Sequence, residues 1–163
     1  MAKECDTLAL DLTPLEDIAG VGVNMGNPHA VLFVDDAEAV DVANRGRALA
    51  HFGLFPEGVN VSFAHVISDD KIRMRVFERG VGITSACGSG ACAVGVAAYR
   101  SGLASRRSEI VLDGGSLYIH WVDDGTTQGR VIMTGPVATS FAGTLSGQLA
   151  DAFAAAQKDS PSS

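Results

Sequence analysis

The chain has 163 residues, 47% hydrophobic and 19% charged, which gives room for one domain with a real core, too little for two, and too apolar a chain for general disorder. A formal net charge of −7 excludes a nucleic-acid surface built on a basic stripe, since the nearest approach to one, Arg106-Arg107, has no aromatics interleaved with it. Three cysteines without framework spacing, behind an opening "MAKECDTLAL" that lacks a long apolar run, read as reduced thiols of a cytoplasmic protein.

In chain order, "TLALDLT" (7–13) alternates and predicts a strand. "GVGVNMG" (20–26) and "HAVLFVDD" (29–36) predict two strands about a turn at Gly26-Asn27-Pro28. Residues 36–52 carry a helical pattern with Asp35 or Asp36 as N-cap. "VNVSFAHVI" (59–67) and "KIRMRVFER" (71–79) predict a hairpin turning at Ser68-Asp69-Asp70. A helix over about 90–101, closed by Gly102 as its C′ residue, follows a glycine-rich stretch. Strands at 108–113, 116–122 and 130–135 come next, then an amphipathic helix over about 144–157. Strands outnumber helices and fall in hairpin-like neighbours, so the class is α+β with a mostly antiparallel sheet. One domain is expected over 1–155, with a small, polar tail at 156–163 that frays.

From Gly80 to Tyr99 there are 20 residues without a charge, near the length of a membrane span. Five glycines, with Thr84, Ser85 and Ser89, mark it instead as a segment buried inside a protein with no membrane partner. The helix within it is apolar on all faces, and a helix apolar all round is buried all round. This predicts a central helix wrapped by sheet, with its N-terminus aimed out of the core.

That N-terminus holds "SACGSGACAV" (85–94). The first amides of a helix lack helical partners, and with the helix dipole they favour negative charge. The amides of Gly88, Ser89 and Gly90 could hold a carboxylate, and the Cys87 thiol is expected to have a lowered pKa. On these residues alone Cys87 is either a reagent or a structural cysteine at a tight turn. Cys92 lies about 7.5 Å further along the axis and about 140° round, where it packs as a small hydrophobe. Cys5, in a polar leading segment, reads as inert. "GSGACA" (88–93) satisfies a dinucleotide fingerprint but lacks the preceding strand and parallel context that such a site needs.

Other polar residues sit in apolar settings. Asn27 precedes a proline and is biased to extended backbone, and His29 opens the next strand. Asn60 interrupts a valine strand, where asparagine is disfavoured and needs partners if buried. Glu78 and Arg79 end a strand shortly before Cys87, as a solvated strand end or as part of a site. The four histidines are scattered without metal-ligand spacing.

Taken together, "MGNPHAVLFVDD", "NVSF", "ERGVGITSACGSGACA" and "TGP" (134–136) closely resemble the C-terminal half of the diaminopimelate epimerase family, in order and spacing, from about Leu8 to Phe153. The resemblance implies epimerisation of LL- to meso-diaminopimelate, for lysine and peptidoglycan synthesis, with no cofactor and no metal. It implies a sheet wrapped around a central helix, as argued above. It implies that Cys87 is a catalytic cysteine, and that His29 and Glu78 orient the reacting centre at the substrate. Asn27, Asn60 and Arg79 would contact the distal amino-acid end, and Gly88 and Ser89 the reacting carboxylate. Threonine is commoner in the family where Ser89 stands; serine keeps the hydroxyl and the N–H.

The family's second catalytic cysteine comes from an N-terminal domain absent from this sequence, and neither Cys5 nor Cys92 can replace it. The resemblance therefore implies half an active site, inactive or nearly so alone. Its partner would be the missing domain or a second chain, with a homo-oligomer expected from the uncovered face. Two rival readings are a non-catalytic amino-acid-binding module of the same fold and a racemase acting on another amino acid.

Overall fold

The computed structural model describes residues 7–10, 20–122, 129–144 and 146–158, so Cys5, residues 11–13 of the first expected strand and the tail from 159 lie outside the described residues. Alternating segments become strands where expected: β1 (Thr7–Leu10), β2 (Gly20–Asn24), β3 (Pro28–Phe33), β4 (Asn60–Ser68) and β5 (Lys71–Glu78). A short β6 (Gly82–Thr84) hides among glycines, and β7 (Arg107–Leu112), β8 (Gly115–Val122) and β9 (Arg130–Thr134) complete one sheet in the order β1-β2-β3-β4-β5-β7-β8-β9, with β6 beside β5.

Most neighbours are antiparallel, as the hairpin spacing predicts, but β3 with β4 and β5 with β7 are parallel. Parallel neighbours need a crossover, and the two crossovers carry the first two helices. Helix α1 (Val42–Ala50) links β3 to β4, and α2 (Gly88–Arg100) lies between β5 and β7. The helices cover opposite faces of the sheet. Along β3, Ala30 and Leu32 join a core with α1, while Val31 joins the core with α2. The same period of two sends Val61 and Phe63 of β4 towards α1 and Ala64 towards α2.

Helix α2 confirms the central-helix expectation. Gly90 through Ala98 are all buried, and α2 touches β2, β3, β4, β5, β7, β8 and β9. It begins at Gly88, two residues earlier than the pattern suggested, and ends as predicted at Gly102. Gly102 has φ +70°; its N–H donates to Tyr99 O (3.0 Å) and that of Leu103 to Ala98 O (2.9 Å), a Schellman ending. Among the described residues no helix is long and apolar enough to cross a membrane.

Helix α1 departs from expectation. It starts at Val42, capped by Asp41, whose side chain accepts from Asn44 N (3.2 Å), rather than by Asp35 or Asp36. The reason is local: the Asp36 carboxylate accepts from Glu38 N (2.8 Å), a turn that competes with helix. Glu38 is in turn held by Arg73 of β5 (2.6 Å). Gly46 lets α1 sit on the sheet, because a Cβ there would clash with the Phe77 side chain. A third helix, α3, spans Gly147–Lys158.

Candidate functional site

The site is assembled by register. His29 and Asn60 are partners in the parallel β3–β4 pair, and both alternate with residues that face α1, so both face α2. Val61 pairs with Phe77, so the next residue of β5, Glu78, falls in the same row. Three neighbouring strands thus end with polar residues beneath the N-terminus of α2, where Cys87 is the N-cap in extended backbone (φ −146°, ψ 105°).

The row and the helix start are linked by side chains. His29 Nε2 donates to Asn27 Oδ1 (3.1 Å), and Asn27 Nδ2 donates to Ser89 Oγ (3.4 Å). Ser89 Oγ lies 3.8 Å from Cys87 Sγ. Glu78 acts electrostatically on both His29 and Cys87. Asn27, His29, Glu78, Cys87 and Ser89, singled out on separate motifs, therefore meet.

Asn60 and Arg79 are engaged differently. The Asn60 amide is 6% exposed, donates through Nδ2 to Pro28 O (3.3 Å) and accepts from Arg79 N (2.9 Å). It braces the ends of β3 and β5, which explains an asparagine in a valine strand. Arg79 is exposed and turns its guanidinium onto the carbonyls of Glu57 (2.9 Å) and Gly58 (3.4 Å).

Helix geometry gives the chemistry its shape. The first helical bond is Ala91 N to Cys87 O (2.9 Å), so the earlier amides of Gly88, Ser89 and Gly90 lie ahead of the helical ladder, where anions are favoured. Glycine at 90 keeps the sulfur close, since a Cβ there would lie 3.1 Å from Cys87 Sγ. At 88 it would lie 3.3 Å from the Met133 sulfur, so β9 walls the other side.

The thiol pKa corrects a sequence expectation. The helix start alone predicts a lowered value, but burial pushes the Cys87 thiol up and the Glu78 carboxylate adds to it. The Gly90 amide and the Ser89 hydroxyl pull down without prevailing. Cys87 is 7% exposed and carries its proton at neutral pH. Burial also lowers His29 to about 4 against the pull of Glu78, so the ring is neutral. With Nε2–H donated to Asn27, the unprotonated Nδ1 is buried without a hydrogen-bond partner.

One participant was missed. Thr84 Oγ1 donates a short hydrogen bond to Glu78 Oε1. The glycines at 80 and 82, with φ of +77° and +103°, make "GVGIT" look like loop and conceal strand β6. Cys92 packs in the α2 core, as expected. A groove of about 540 Å³ lies elsewhere, along β7–β9, lined by Lys71, Arg107, Glu109, Tyr118, His120 and Ile132 among others; it contains none of the clustered residues. Among the described residues no group of three or more His, Cys, Asp or Glu side chains is placed to hold a metal ion.

The sequence profile described as diaminopimelate epimerase matches residues 21–140. The diaminopimelate epimerase of Rhodospirillum centenum is 59% identical over 133 residues, covering 82% of this chain and 44% of that protein. That of Acidiphilium cryptum is 50% identical over 147 residues, covering 89% and 51%. Among solved structures, a probable proline racemase from Agrobacterium radiobacter K84 superposes with a TM-score of 0.50 at 16% identity, covering 85% of this chain and 51% of that one, a likeness of fold. The chain spans about half the length of the curated relatives it matches. With the profile laid across the strands and the helix start that build the Cys87 cluster, the chain belongs to the diaminopimelate epimerase family.

Proposed function

We propose that the chain supplies one half of an active site that epimerises LL-diaminopimelate to the meso form, with Cys87 as one of two proton carriers. The observation that supports this most is the Cys87 cluster: a protonated thiol at the start of a buried helix, linked to Ser89, Asn27 and His29, with the Glu78 carboxylate acting electrostatically on both His29 and Cys87.

The α-hydrogen of an amino acid is a weak acid, and its removal needs a base together with relief of the charge that develops on the carboxylate. In this reading the carboxylate sits against the amides of Gly88, Ser89 and Gly90. A base on the far face, from the complementary half, takes the α-proton, and the Cys87 thiol delivers one to the near face. In the reverse direction Cys87 is the base. His29 and Glu78 shape the centre, Asn27 reaches the substrate beside Ser89, and Asn60 and Arg79 define the wall facing the distal amino-acid end. No cofactor takes part. Free thiols need a reducing compartment, so the reading places the reaction in the cytoplasm.

The test is α-deuterium incorporation, followed by NMR, from D₂O into diaminopimelate. The 163-residue chain is assayed alone and fused behind the half of the Rhodospirillum centenum relative that it does not match. Exchange in the fusion is the expected result. A fusion that folds, binds diaminopimelate by calorimetry and exchanges nothing would favour a binding module instead; turnover confined to other amino acids would favour a different racemase.

In the same reading the complementary half covers side chains that the chain leaves bare, notably Val81, Ile83, Val137 (99% exposed) and Phe141 (86%). Without it they should drive self-association. Light scattering of the chain alone should therefore give a dimer or larger species, and a monomer across a tenfold or so range of concentration would count against the covering role.

A further inference from the structure

We propose that Thr84 is a positioning residue that holds the Glu78 carboxylate against Cys87 and His29. The proposal rests on the reading of Cys87 as a proton carrier and goes beyond it, to what sets that carrier's protonation. The geometry comes from β6. In the antiparallel β5–β6 pair, Thr84 stands opposite Val76 and Gly82 opposite Glu78. Side chains of one strand share a face at every second residue, so Thr84 and Glu78 lie diagonally on the same face of the sheet. Val76 packs in the core with α2, which identifies that face as the one beneath Cys87.

A carboxylate at a strand end beside solvent has a choice. Left alone, Glu78 gains by turning outward to water, because a charge pays in hydration for approaching a buried thiol. The Thr84 hydroxyl gives one oxygen, Oε1, a donor on the inner face and so removes much of that incentive. Among the described residues, Glu78 on β5 is the charged side chain that acts on Cys87, with the Ser89 hydroxyl and the Gly90 amide of α2 acting in the opposite sense. His29 on β3 feels the same carboxylate. Thr84 thereby fixes the position of the charge that adds to burial in holding the proton on the Cys87 thiol. It touches neither the thiol nor, in this reading, the substrate.

The experiment is the pH dependence of iodoacetamide alkylation at Cys87 in the 163-residue chain, located by fragment mass spectrometry so that Cys92 on the same segment is read separately. Glu78→Gln, which removes the charge, should lower the alkylation midpoint by about one pH unit. Thr84→Val, which keeps the shape and strand preference, should lower it by a comparable amount. Thr84→Ala should do the same, and Thr84→Ser should restore the original midpoint. Thr84→Val combined with Glu78→Gln should fall no further than Glu78→Gln alone. A midpoint that moves in Glu78→Gln but not in Thr84→Val or Thr84→Ala overturns the proposal, as does an additive double variant. No substrate enters the measurement, so shifted midpoints with no diaminopimelate exchange in the fused protein would overturn the epimerase reading and leave the role of Thr84 intact.

Discussion

Cys87→Ala is expected to reduce α-proton exchange in the complemented enzyme by at least about 10³-fold, the scale on which a positioned proton carrier contributes. The amides that hold the carboxylate, the Asn27–Ser89 link and the neutral His29 all survive the change, so binding of diaminopimelate should persist while exchange is lost. Cys87→Ser should be nearly as damaging, because a hydroxyl of the same shape is a far poorer acid and base than a thiol. The pH dependence carries a sign. Burial and Glu78 raise the thiol pKa, so the protonated form persists through neutral pH and is lost only as pH rises through that raised value. Turnover in either direction needs one carrier protonated and the other not, so above the raised value, with both carriers ionised, the rates in the two directions should fall together and keep a constant ratio. Initial rates in the two directions, measured from LL- and meso-diaminopimelate across pH, check this. Near-normal exchange in Cys87→Ala would remove the residue from the chemistry altogether.

The sequence shows much of this site because its polar residues stand where the local pattern calls for apolar ones. Asn60 in a valine strand and a cysteine at the start of a glycine-led helix are conspicuous on those grounds. What pattern alone does not show is how such residues are used. Asn60 is spent on the backbone of Pro28 and Arg79, pairings across strands that the parallel β3–β4 and antiparallel β4–β5 registers create. The Cys87 pKa depends on how far burial offsets the helix start, and burial comes from the β-strands that α2 contacts, distant in sequence. Thr84 was hidden because a three-residue strand flanked by positive-φ glycines has too few residues to display a period.

The fold itself divides along the same line. Strands 20–24, 60–68 and 71–78 fall close to their expected bounds, although β4 is buried on both faces between α1 and α2. Helix α1 starts at Val42, later than the pattern over 36–52 predicts, with Asp41 as its cap in place of Asp35 or Asp36. The turn that Asp36 makes with Glu38, secured by Arg73 from a distant strand, decides between them. The parallel pairings were not foreseen either: hairpin spacing reports which strands neighbour in sequence, not which strands a crossover helix brings side by side.

Phe63→Ala is expected to destabilise the chain by about 3–5 kcal/mol, the range for removing a fully buried aromatic from a core that cannot collapse around the gap. Phe63 has no exposed surface and sits on β4 in the core beneath α1, with Leu32, Leu49, Val61 and Phe77. The Arg45 guanidinium stacks 5.5 Å from its ring centroid, so the substitution also removes a cation–π contact that holds α1 down. Phe63→Leu keeps most of the volume and should cost about 1–1.5 kcal/mol. Urea unfolding followed by circular dichroism measures both, and equal losses for the two variants would contradict tight packing on the α1 side. A loss of this size is a large part of the total stability of a domain, usually about 5–15 kcal/mol. Its consequence reaches the site through the period of two. Phe63 faces α1, while Asn60, Ser62 and Ala64 on the same strand face α2, and the row of His29, Asn60 and Glu78 is held level by the register of β3, β4 and β5. A variant that loosens α1 without unfolding the sheet should therefore keep the Cys87 alkylation midpoint. One that shifts β4 should move it, since β4 holds β3 and β5 in register beneath the thiol.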